Sequence, residues 1–70
     1  MRSVKEMKAG ESGEIKWMYG NRDVLARAAH FDIREGCLIR VYQRFRDSLI
    51  IGLGNRRFAI GNEVAECLKV

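Results

Sequence analysis

Apolar and polar residues alternate singly through residues 14–17, take helical spacing through residues 24–31, and return to strand-like patterns, alternating or continuously apolar, from Cys37 onward. In "MKAGESGEIKWMYG" a glycine-bounded turn leads into a stretch with Ile15 and Trp17 on one face and Glu14, Lys16 and Met18 on the other. That is period two, so a half-buried strand is predicted, with Trp17 in the core. Val24, Leu25, Ala28, Ala29 and Phe31 then form a helical stripe, predicting a short helix over residues 23–32. Asn21 or Asp23 caps its start, and Asp23 and Arg27 stand in a favourable i, i+4 pair.

"CLIRVYQRF" predicts the longest strand, with Ile39, Val41 and Phe45 inward and Arg40, Tyr42 and Arg44 outward. A tight turn at "RDS" leads into the nearly continuous apolar strand "LIIGL", and "GNR" turns again into "RFAI". Successive strand–turn–strand units read as an antiparallel meander. "GNEVAE" predicts a helical turn capped by Asn62, and "CLKV" a last strand with Leu68 and Val70 in phase. Val70 is expected to plug a small barrel, its strand pairing near the N-terminus. Closure would remove the exposed strand edges of an open sheet. The expected fold is all-β: one domain, residues 1–70, a barrel of about five antiparallel strands with a short helix inserted after the first.

Apolar residues are 47% of the chain and charged residues 31%, a globular balance. The N-terminal segment has no apolar stretch of the kind a signal peptide carries, and a cytoplasmic location is expected. Cys37 and Cys67 show no close metal-binding spacing and are expected to be reduced, buried, small apolar residues. With His30 as the only histidine, a metal site of His30, Cys37 and Cys67 is disfavoured, as is a Cys37–His30 nucleophile–base pair. Glu63 and Glu66 are close enough to share a helix face, where they solvate a turn. No phosphate-binding glycine loop is present, because Gly52 and Gly54 precede "NRR". Neither a catalytic constellation nor a cofactor or metal is expected.

The order of these signals resembles the FeoA-type ferrous iron transport accessory proteins. Four stretches carry the likeness: "VKEMKAGESGEI", "RAAHFDIREG", "LIIGLGNRRFAIG" and "NEVAECLKV". Individually these motifs are weak, and their order and spacing over nearly the whole chain give them weight. The sequence departs from the family pattern at Ala28, Asp32 and Glu35, where leucine, glycine and proline are usual. Asp32 matters most, since glycine there supplies a left-handed backbone at the helix end. The C-terminal domains of iron-dependent repressors look similar, but they follow a helix-turn-helix segment that seventy residues leave no room for. The resemblance implies an SH3-like barrel and a non-enzymatic adaptor at the inner face of the membrane. The implied action is contact with the cytosolic GTP-binding part of a FeoB-type transporter. Some members form dimers or larger assemblies, so homo-oligomers are compatible with it.

Charge suggests where a partner would sit. The net charge is +4, and residues 40–57 hold Arg40, Arg44, Arg46, Arg56 and Arg57 against Asp47 alone. On charge alone, a solvated, solubilising sheet face is the preferred explanation. Arg44 and Arg46 flank one predicted turn and Arg56 and Arg57 the next. With Arg40 and Tyr42 they are the expected partner-binding residues, the two turns forming one basic surface. The polar side of the helix, with Arg22, Arg27 and His30, is a second candidate. The alternative function is a small basic barrel binding RNA, with Trp17, Tyr19 and Tyr42 as stacking rings. DNA is not expected.

Overall fold

The computed structural model describes residues 2–70. A single 3-10 turn, Val4–Glu6, precedes strands β1 (Ser12–Glu14) and β2 (Trp17–Met18). Helix α1 (Arg22–His30) follows, then the meander β3 (Leu38–Arg44), β4 (Ser48–Leu53) and β5 (Arg56–Gly61). Helix α2 (Asn62–Cys67) runs directly into β6 (Leu68–Lys69).

The mostly antiparallel class holds, but the closed barrel does not. The strands form two sheets: one of four strands in the order β1-β3-β4-β5, and one of two, β2 with β6. The chain crosses between them at Ile15 and Lys16. Ile15 N–H still bonds the Cys37 carbonyl, on the β3 side, whereas Lys16 N–H bonds the Lys69 carbonyl of β6. This crossing corrects the position of Trp17. Alternation continued from the buried Ile15 would bury Trp17, yet Trp17 is 52% exposed. The bend resets the phase, and Met18 packs on the core instead.

Phe45 is corrected for a related reason. Ile39 pairs with Leu53 and Val41 with Ile51, but Gln43 pairs with Ile50, leaving Tyr42 as the extra residue of a bulge. One extra residue flips the inward phase, so Phe45 is 51% exposed rather than in line with Ile39 and Val41.

Helix α1 starts one residue before the expected span and is capped by Asn21, whose side chain accepts from Val24 N–H at 2.9 Å. The expected Asp23–Arg27 pair is replaced, as Arg27 reaches Glu63 of α2 at 3.2 Å. Asp32 takes φ 62°, the left-handed conformation expected of that position. Gly61, not Asn62, caps α2, and Cys67 ends that helix instead of opening the last strand.

The core lies between the four-stranded sheet and the two helices, with Val4 and Met7 of the N-terminal segment also fully buried. Cys67 is buried and Cys37 half-buried, and both are free thiols. Val70 is partly buried against the core. Its N–H bonds the Arg2 carbonyl, and an isolated bridge joins Ser3 to Lys69. The last strand therefore pairs near the N-terminus, as expected.

Candidate functional site

Most of the arginines are committed within the fold. Arg2 pairs with Glu11 at 3.0 Å, Arg27 with Glu63, and Arg34 lies 3.9 Å from Asp32. Arg44 donates to the Met7 carbonyl at 3.2 Å and so ties the N-terminal segment to β3. Arg56 donates to the Phe31 carbonyl at 2.9 Å and lies over the Phe58 ring, which stacks on Phe31 at 4.9 Å. That arrangement fastens the end of α1 to β5. Among the described residues, Arg22, Arg40, Arg46 and Arg57 have no such carboxylate or carbonyl partner.

The six expected partner-binding residues do not form one surface. Consecutive turns of an antiparallel meander lie at opposite ends of its strands. The β3–β4 turn carries Arg46, with Arg44 at the end of β3, whereas Arg56 and Arg57 open β5 at the far end. Strand register decides what does meet. Ser12 pairs with Arg40, Arg40 with Gly52, and Gly52 with Arg57, giving one row across four strands. Gly52 is required there: a Cβ at this position would collide with the Tyr42 ring. Over the bare backbone, the Arg57 guanidinium lies 3.8 Å from the centre of the Tyr42 ring and Arg40 lies 5.6 Å from it. A cation held against an aromatic face is favourable and loses little hydration, since guanidinium is weakly hydrated.

A shallow groove of about 310 Å³ runs beside this cluster, lined by Ser12, Leu38, Arg40, Tyr42, Gly52 and Gly54 among others. Leu38 is 68% exposed on the same outer face. Charge composition alone overlooks it, although strict alternation with Arg40 and Tyr42 places it there. A second concavity of about 350 Å³ is lined by Arg27, Asp47, Gly61, Asn62 and Glu63, with the Arg27–Glu63 ion pair on its wall. The second candidate face, the polar side of α1, has exposed Arg22, Arg27 and His30, with Arg27 held by Glu63.

Trp17 and Tyr19, at 52% and 74% exposure, stand at β2 of the other sheet. Among the described residues, no three His, Cys, Asp or Glu side chains gather as a metal-binding group, and no helix is long and apolar enough to cross a membrane. Burial pushes the Cys67 thiol pKa upward, which favours the neutral thiol.

The fold and sequence both have relatives. No curated protein matches the sequence closely enough to count as one. Among solved structures, an iron uptake regulatory protein, FeoA, is 25% identical, with a TM-score of 0.84 over 94% of this chain and 89% of that one. Stenotrophomonas maltophilia FeoA complexed with zinc, described as a procaryotic SH3 domain protein, is 16% identical, with a TM-score of 0.79 over 96% and 86%. A manganese-dependent transcriptional repressor is 17% identical with a TM-score of 0.87, and this chain spans 39% of it. The last two likenesses speak for the fold alone, which is SH3-like. The FeoA domain model matches residues 2–70, and the chain therefore belongs to the FeoA family.

Proposed function

We propose that this protein is a non-enzymatic accessory of ferrous iron transport, acting by contact with the cytosolic part of a FeoB-type transporter. The observation that carries this reading is the FeoA domain match over residues 2–70. The likeness to an iron uptake regulatory FeoA over most of both chains supports it. So does the description of the Stenotrophomonas protein as a candidate activating factor of ferrous iron transport. The exposed polar surface supplies an adaptor's means of contact, and the unpartnered Arg40 and Arg57 with Tyr42 are its best-formed part. Arg44 and Arg56 hold the fold together and contribute to binding chiefly through the surface they shape. Arg46 lies at the other end of β3 and is peripheral to the contact.

RNA binding is the second reading, and the exposed rings of Trp17 and Tyr19 favour it. Those rings stand at the two-stranded sheet, while the arginine row crosses the four-stranded one. A surface for single-stranded RNA combines both signals in one groove, so the adaptor reading is preferred.

An amide NMR titration of the labelled protein with the transporter's cytosolic domain tests the proposal. Shifts confined to one surface are the expected result. No shifts with that domain, alongside shifts with RNA that weaken steeply with salt, would replace the adaptor with the RNA reading.

A further inference from the structure

We propose that the groove beside Tyr42 is a docking site for an acidic, extended segment of a protein partner. Two carboxylates of that segment pair with Arg40, which lines the groove, and with Arg57, which lies against the Tyr42 ring beside it, and a nearby apolar side chain covers Leu38. Identifying the partner as the transporter rests on the adaptor reading; the chemistry of the groove does not.

Three observations carry the assignment. First, both guanidinium groups are poised. They occupy one cross-strand row on either side of Gly52, they converge on one aromatic ring, and among the described residues neither has a carboxylate within ion-pair distance. A planar guanidinium already held in place loses little freedom when it takes a carboxylate in the two-bond arrangement. Second, the backbone aims the ring. Tyr42 is the extra residue of the bulge, and Gly52 is bare, so the ring can lie across the sheet. Bulges of this kind re-aim a side chain. Third, Leu38 is a large apolar residue at the edge of the groove, turned to solvent at 68% exposure.

The same features argue for a peptide over a nucleic acid. The Tyr42 ring face against which Arg57 lies is closed to a base, and the ring is only 37% exposed. Leu38 offers a base no aromatic ring to stack on. An extended peptide presents alternate side chains on one face about 7 Å apart. It can therefore set two acidic residues and one apolar residue down together.

The test uses the whole protein, isotope-labelled, and the probe peptide acetyl-Gly-Glu-Ser-Glu-Ser-Leu-Gly-amide, with a control carrying Gln for both Glu. The expected result is saturable shifts at the amides of Leu38, Arg40, Gly52 and Arg57 with the Glu peptide. The Gln peptide should bind at least tenfold more weakly. Arg40→Gln and Arg57→Gln, which keep most of each side chain, should each weaken binding several-fold with the rest of the spectrum unchanged. Arg46→Gln should bind as the parent does. Equal response to both peptides, shifts centred elsewhere, or no shifts would overturn the proposal, as would a short uridine oligomer binding the same amides more tightly. A final arm adds the transporter's cytosolic domain. Peptide binding without domain binding removes the adaptor reading and keeps the groove. Domain binding that leaves these four amides unmoved keeps the adaptor reading and removes the transporter as the partner of the groove.

Discussion

Asp32 holds a left-handed backbone, φ 62°, just beyond α1. A side chain there costs up to about 1–2 kcal/mol, less for Asp than for most. Asp32→Gly should therefore raise stability by up to about 1 kcal/mol, or roughly 4–8 °C in a domain of this size. A thermal melt showing no gain would mean that glycine's extra unfolded-state freedom offsets the relief. Gly52 is the converse case. Gly52→Ala should drive the Tyr42 ring off the sheet, at a cost of about 1–3 kcal/mol. Loss of the ring-current shifts that Tyr42 imposes on Arg57 would report it. The two cysteines differ by environment. Cys67 is buried, donates to the Glu63 carbonyl at 3.3 Å and has a raised pKa, whereas Cys37 is half-buried. Iodoacetamide should label Cys37 well before Cys67 in the native protein, with peptide mass spectrometry giving the order.

Elements are set by local chemistry at their ends. The Asn21 cap satisfies a free N–H of the first turn of α1, and Asn21→Ala should cost about 1 kcal/mol in a denaturant titration. The N-terminal turn depends on Glu6, whose carboxylate accepts from Ser3 N–H at 3.0 Å. That bond is the main reason its pKa lies below the ordinary value. A lowered carboxylate pKa means stability that is present above the unfolded pKa and lost as pH falls through the folded one. Glu6→Ala should thus be less stable than the parent at neutral pH, with the gap closing in acid; parallel pH–stability curves would contradict this. Phase within elements is less local. The helix and the alternation of β3 were legible, because periodicity follows backbone geometry. Trp17 and Phe45 were misplaced because a bend and a bulge reset the phase, and neither has a side-chain signature strong enough to announce it.

At the scale of the molecule, stability rests on a core shared by both sheets and both helices. Ile51, fully buried on the central β4, anchors it. Ile51→Ala should cost about 2–5 kcal/mol, a large part of the roughly 5–15 kcal/mol typical of a domain. Calorimetry of the variant should show a strongly lowered or absent transition. The candidate surface also belongs to this scale. Its residue types were visible as a run of arginines around Tyr42, but their grouping was not. Register across β3, β4 and β5 joins Arg40 to Arg57 and parts both from Arg46.

What the sequence determined by itself is what short-range physics controls: the periods, the capped start of α1, the meander and the order of signals that marks the family. What only the tertiary structure decided is what depends on strand pairing and register. The chain leaves one sheet for another at Lys16, so the barrel does not close, and Tyr42 bulges over Gly52, so two distant arginines share one ring. Neither follows from side-chain periodicity: the crossing is settled by the pairing of β2 with β6 at the other end of the chain, and the bulge and the arginine row by the register that β3, β4 and β5 adopt.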